Sequence, residues 1–237
     1  MFRHTARRLA SLGVGLALIG GVAAGTALAS ASPASASTTA PPAVTCPTTP
    51  GIPFSGALSG GTVKIGSGLS GSGLTGSACG LVDLASLTYG INASNFTFNP
   101  TSVSLFGLLN LPSTITVVGN ATGSLSVAPA TSGIAFNTTL PLTVKASVKL
   151  LGFTCSVGPF TPTFTTGTSG SLTGSPLAGS SLSTLSGKLV ANAFTVPAIQ
   201  PSATCPGLIA SLSNAVIGLP EAAGKSSITS SATFSLQ

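Results

Sequence analysis

The sequence predicts an all-β protein: an antiparallel β-sandwich of the Ig-like or jelly-roll type, with one short helix near 206–217. Three observations carry that prediction. Two segments alternate apolar and polar residues with a strict period of two. Shorter strand-like runs recur along the chain, most of them separated by Gly, Pro or Asn. Four cysteines follow an export signal, and an even count in an exported chain reads as two disulfides.

The N-terminus supplies the export signal. Arg3, Arg7 and Arg8 form a basic start, and an uncharged run rich in Leu, Gly and Ala follows from about Leu9 to Ala24. Small-residue frames then end at Ala29, Ala31 and Ala36, the pattern of a secretory signal peptide. Cleavage after Ala36 is favoured. A membrane anchor is the competing reading, but the run is Gly-rich and marginal in length. Arg7-Arg8 follows Ala6 rather than Ser or Thr, so ordinary secretion is favoured over twin-arginine export. The expected organisation is residues 1–36 as signal peptide, 37–45 as a flexible Pro-containing leader and 46–237 as the β-sandwich domain. A division into halves at about 46–139 and 140–237 is the alternative.

Removing residues 1–36 takes away every Arg and the one His. Five Lys (64, 145, 149, 188, 225) then face Asp83 and Glu221, a net charge of +5 − 2 = +3. Charged residues are 4% of the whole chain, against about 25% in ordinary soluble proteins. Ser, Thr, Gly and Asn take their place. Scattered Lys without Arg or Trp argue against nucleic-acid binding. So neutral a surface favours self-association, because net charge is what keeps proteins apart.

Along the chain, the stretch 66–77, G-S-G-L-S-G-S-G-L-T-G-S, suits neither the helical nor the strand period and reads as a loop or a poor edge strand. From 142 to 150, Leu142, Val144, Ala146, Val148 and Leu150 share one face and Thr143, Lys145, Ser147 and Lys149 the other. From 227, Ile228, Ser230, Ala232, Phe234 and Leu236 share a face opposite Ser227, Thr229, Ser231, Thr233 and Ser235. Weaker strands are expected at 95–98, 102–106, 114–118, 123–128, 133–138, 153–157, 160–166 and 188–196. After Pro206, apolar residues recur at three- and four-residue spacing until Gly218-Pro220, which predicts the helix.

The cysteines are Cys46, Cys79, Cys155 and Cys205. C-G-L-V-D-L-A-S-L at 79–87 echoes C-P-G-L-I-A-S-L at 205–212. The echo favours the pairing Cys46–Cys79 with Cys155–Cys205, among three possible pairings. It also suggests one local device used twice, a cysteine pinning a short apolar plug at the end of a sheet pair.

The second half reads G-F-T-C-S-V, then Thr-rich strands, then S-G-K-L-V-A-N-A-F-T-V-P-A, then C-P-G-L-I-A-S-L-S-N-A-V-I-G-L-P. Over about residues 140–237 it resembles a broad group of small secreted two-cysteine-repeat β proteins of high-GC Gram-positive bacteria. The resemblance implies a secreted β protein and carries no activity to any residue here.

Candidate chemistry is sparse. Without His after processing, a Ser-His-Asp or Cys-His site cannot be built, and zinc loses its main nitrogen ligand. Two carboxylates are too few for a calcium cage. The one catalytic arrangement left is an Asp83–Glu221 carboxylate pair, as in a glycosidase; each reads more simply as a cap or chain-end residue. Lys145 or Lys149 with Glu221 could form an isopeptide staple, but both lysines lie on the polar face. Asn92, Asn95, Asn120 and Asn137 sit in N-x-Ser/Thr frames, and Thr161, Thr163 and Thr165 form a row best explained as a solvated strand.

The expectation is therefore a non-enzymatic secreted or cell-envelope protein with a structural or binding role. It has no cofactor, no metal site and no transmembrane helix after cleavage. Its partner is an envelope component or an apolar small molecule. The alternatives are a self-associating surface coat and a small envelope β-barrel with a polar lumen.

Overall fold

The structure, a computed structural model, describes residues 51–99, 101–130 and 132–237. The expected signal peptide, the leader and Cys46 lie outside these residues.

The described residues open with a long hairpin, β1 (Ile52–Ile65) and β2 (Leu69–Asp83). There follow β3 (Thr88–Ile91), β4 (Phe96–Phe98), β5 (Thr101–Leu105), β6 (Leu109–Val117), β7 (Ala121–Val127) and β8 (Ile134–Pro141). Then come β9 (Val144–Leu150), β10 (Phe153–Phe160), β11 (Thr163–Thr165), β12 (Thr168–Ser169), β13 (Leu172–Thr173), β14 (Ser175–Ser181) and β15 (Thr184–Ala191). The helix α1 (Gly207–Ile217) and β16 (Ser227–Leu236) complete the fold. Every strand pairing is antiparallel.

The all-β class and the helix hold, but the main sheet closes on itself. The order β1-β16-β15-β11-β8-β7-β3-β2 returns to β1 through the β1–β2 pairing, a barrel of 8 strands. β14 patches the wall by pairing with both β15 and β8. The reason the sandwich expectation missed this lies in residues 52–83. The stretch 66–77 reads as a loop or a poor edge strand, yet from Leu69 on it is part of β2, and β1 and β2 are strands of 14 and 15 residues, long enough to serve two sheets. One half of β2 pairs with β3 and β4, inside or beside the barrel. The other half, Leu69–Gly71, pairs with β5 and leads into an open sheet, β2-β5-β6-β9-β10. The hairpin bends between its two halves, where register shifts at Gly61 and where Gly60 and Gly73 take φ of +59° and +75°. Glycine at such a corner marks a bulge and not the end of a strand.

The period-two faces behave as expected. Ile228, Ser230, Ala232 and Phe234 of β16 are buried, as are Val144 and Ala146 of β9, whereas Lys145 and Lys149 are exposed. The outward Ser and Thr pair across strands: Thr62 with Thr229 at 2.8 Å and Ser77 with Thr97 at 2.9 Å. Such hydroxyl pairs stabilise a sheet surface without charge.

α1 is capped by Gly218 in the left-handed conformation, whose N–H bonds the Asn214 carbonyl at 2.8 Å. Asn214 also mimics a strand partner. Its Oδ1 accepts the Ile199 N–H at 2.8 Å and its Nδ2 donates to the Ile199 carbonyl at 3.0 Å. Just before the helix, Cys205 is bonded to Cys155 of β10 across a separation of 50 residues. Closing such a loop stabilises by about 4 kcal/mol in the chain-entropy account. Cys79 is disulfide-bonded too; Cys46, its expected partner, is outside the described residues.

The echo between 79–87 and 205–212 does not correspond to one device. Residues 79–83 are the end of β2, followed by a turn, whereas 207–217 are helix. Asp83 bends the first copy. Its Oδ1 accepts the Ala85 N–H at 2.9 Å and its Oδ2 the Ser86 hydroxyl at 2.8 Å.

Candidate functional site: the barrel interior

The inward residues of the barrel strands are apolar and unequal in size. Phe54 of β1 and Phe234 of β16, diagonal neighbours across the pair, stack with centroids 4.7 Å apart, and Tyr89 of β3 meets Phe54 edge-on at 5.6 Å. These three rings cross the middle of the barrel. Toward one end, Val82, Phe136, Leu182, Leu185 and Leu236 fill the space almost completely, leaving about 10 Å³. Toward the other, small residues replace large ones. Gly56 pairs with Ala78, and Leu58 pairs with Ala232. Ile91, Phe96, Leu140, Phe164 and Leu189 complete the lining, and a cavity of about 70 Å³ remains among them.

A cavity this apolar is a place for hydrocarbon and not for water, which needs two to four polar partners. An engineered apolar cavity of about 150 Å³ accepts benzene. Half that volume suits something slimmer, such as the end of an alkyl chain. The space exists because Gly56 lacks a side chain; a Cβ there would meet nothing nearer than the Thr233 carbonyl oxygen at 3.6 Å.

One polar pair interrupts the apolar wall. The Tyr89 hydroxyl lies 2.7 Å from Thr138 Oγ1, which is itself 3.1 Å from the Ser124 carbonyl, the acceptor of its proton. Thr138 then accepts from Tyr89, and the Thr138 N–H donates to Thr166 Oγ1 at 2.9 Å. Burial raises the Tyr89 phenol to about 12, against the smaller opposing effect of its bond to Thr138. Tyr89 therefore stays a neutral hydroxyl at ordinary pH. Its ring lies over Gly123, its partner in β7, where no Cβ could be accommodated. This is an aromatic covering a cross-strand glycine.

No protein-family model, curated protein or solved structure matches the chain.

The carboxylates of the sequence analysis are not brought together. Asp83 lies at the Ile52–Val82 end of the β1–β2 hairpin, and Glu221 bonds Ser226, beside the hairpin's turn. About 40 Å of strand lies between those ends. Hydrogen bonds from Ser86 and then from the Ala85 and Ser86 backbone hold the Asp83 carboxyl below its ordinary value, as expected of a turn cap. Glu221 pairs with Val196 through its backbone, and its Oε2 accepts the Ser226 hydroxyl at 3.0 Å. It lines a wide groove walled by Pro159, Pro197 and Pro220, open to solvent and offering no second carboxylate. Lys145 and Lys149 stand exposed on β9. Among the described residues, no group of three or more His, Cys, Asp or Glu is placed to hold a metal ion. None of their helices is long and apolar enough to cross a membrane.

Sequence reasoning missed the cavity because its signal is an absence of side chain. Gly56, Ala78 and Ala232 are far apart in sequence, and only the register of β1 with β2 and β16 makes them neighbours.

Proposed function

We propose that the protein is a non-catalytic, exported β-barrel module of the cell surface or envelope that takes the end of an apolar chain into its barrel. The observation that carries this reading is the 70 Å³ apolar cavity at the Gly56–Ala78–Ala232 side of an otherwise filled barrel. Export is supported by the signal-like N-terminus and by disulfides, which persist in oxidising compartments. The Tyr89–Thr138 pair gives the cavity one oriented polar spot, the usual recipe for a selective apolar site.

The barrel in the alternative reading is retained, but its polar lumen is not. The interior is filled with Phe, Leu and Val, and the outward rows of β7 and β16 are Ser and Thr. A lipid-spanning barrel needs the reverse, an apolar outer band.

Native mass spectrometry of the protein from its host should show an alkyl-chain adduct, and a fluorescent fatty-acid probe should bind the delipidated chain. Gly56→Val, which sends a side chain into the cavity, should weaken probe binding at least tenfold. No adduct and no probe binding in the unmodified protein would end this reading.

A further inference from the structure

The open sheet ends in three turns side by side: β1–β2 at 66–68, β5–β6 at 106–108 and β9–β10 at 151–152. The Phe106 N–H donates to the Gly68 carbonyl at 2.8 Å, and the Ser67 and Gly68 N–H groups donate to the Ile217 carbonyl at the end of α1. These turns and α1 therefore share one end of the molecule.

That end is unusually apolar where it meets solvent. Leu108 is 90% exposed, Leu208 81%, Leu151 68% and Phe106 58%. Leu208 and Leu212 are four apart on α1, on the side away from buried Ala210, Ser213 and Ile217. The turn conformations make the choice of residue more pointed. Phe106 and Leu151 have φ of 52° and 51° and are followed by Gly107 and Gly152 at 73° and 83°. A turn with two positive φ values favours Asn-Gly or Asp-Gly. A bulky apolar residue in that place is a true outlier, and it gains no burial in return. Strain held without a folding benefit points to a use outside the fold.

Charge selects the partner. Lys149 stands two residues before Leu151 of the β9–β10 tip, and Lys64 two before Gly66. Lys225 adjoins Ser226, whose Oγ accepts the Gly66 N–H at 3.1 Å. All three lysines are exposed. Of the two carboxylates, Asp83 is at the other end of the hairpin, and half-buried Glu221 accepts the Ser226 hydroxyl. Apolar tips ringed by cations are the composition that enters the interface of an anionic bilayer.

We infer that the turns at Phe106–Leu108 and Leu151–Gly152, with the outer face of α1, form a docking tip that inserts shallowly into an anionic lipid surface. The inference does not depend on the barrel cavity.

The test is flotation of the purified chain with phosphatidylcholine vesicles, with and without phosphatidylglycerol. Phe106→Asn/Leu151→Asn puts a favoured residue at both positive-φ positions, so its melting temperature should stay level or rise. The unmodified chain should float with the mixed vesicles. The double variant should lose that binding at least tenfold while keeping the binding of the fatty-acid probe. Lys64→Gln/Lys149→Gln should weaken binding several-fold and flatten its salt dependence. Three results would overturn the inference: no flotation with mixed vesicles, equal flotation of the Asn variant, or self-association through this face without vesicle binding. The reciprocal variant Gly56→Val should leave flotation unchanged, which separates this outcome from failure of the cavity.

Discussion

The barrel and the open sheet are built from the same two long strands, yet they solve the edge problem in different ways. The barrel removes its edges by closure: β1 pairs with β16 on one side and β2 on the other. The open sheet runs from β2 to β10 and ends there. An unpaired edge is a template for aggregation unless it is covered. Here the covering is covalent and helical. Cys155 of β10 is tied to Cys205, the Thr154 N–H bonds the Thr204 carbonyl at 3.0 Å, and α1 lies behind the strands. A closed sheet holds itself by register, whereas an open one depends on what is fastened to it. The two halves differ inside as well. The barrel keeps a 70 Å³ cavity, while the space beneath the open sheet is packed down to about 20 Å³.

The largest test of that contrast is removal of the fastening. Cys155→Ser/Cys205→Ser should cost about 4 kcal/mol in chemical denaturation, the loop-closure entropy of a 50-residue separation. Hydrogen exchange should place the loss unevenly. Amides of β9, β10 and α1 should lose protection first, and those of β7, β8 and β15 should follow only with global unfolding. Equal loss over both regions would show that the barrel, too, leans on the disulfide, and the contrast would fail.

A smaller effect probes the barrel alone. Tyr89 is the chain's single tyrosine, so its tyrosinate absorbance reports one site. Its folded value of about 12 lies above the ordinary 10.0. Below pH 10 the phenol is neutral in both states and its contribution is whole. Above pH 10 the unfolded chain ionises first and gains stability by comparison. Folding stability should therefore fall between pH 10 and pH 12, by about 3 kcal/mol in all. Tyr89→Phe should flatten that decline, at a separate cost of about 1 kcal/mol for the lost bond to Thr138. An unchanged alkaline limb in Tyr89→Phe would mean that the phenol is not held in the barrel.

How much of this was legible in the sequence depended on side chains that signal by presence. The alternation in 142–150 and 227–236 named β9, β16 and their buried faces correctly, because each position carries a side chain that takes a side. Pro206 and Gly218 bracketed α1 for the same reason: each forces a backbone state. The barrel was hidden because its seam is written in glycine. In β2, Gly76 and Gly80 sit where neighbouring backbone or ring atoms approach too closely for a Cβ. A sequence pattern cannot tell a glycine that breaks a strand from one that lets another strand near. The apolar tips had a readable signal in F-G-L-L and L-L-G-F, two hydrophobic turns where polar ones are expected. What was missing was the register that sets them side by side.

The smallest expected effect tests whether the cavity is kept open or merely left open. Gly56 carries no positive φ, and a Cβ on it would rest at ordinary contact distance, 3.6 Å from the Thr233 oxygen and 3.9 Å from the Ala78 oxygen. Nothing in the fold therefore requires glycine there. Gly→Ala at a compatible site stabilises by about 0.4–1 kcal/mol through the unfolded chain, and the added methyl would also fill part of an empty apolar space. Gly56→Ala should raise the melting temperature slightly and weaken the fatty-acid probe by a few-fold. A stabilised protein with weakened uptake would mean that glycine is held at this place against stability, for the sake of the guest. Undiminished probe binding in a stabilised variant would move the guest elsewhere and leave the cavity a packing defect of a barrel seam built from small residues.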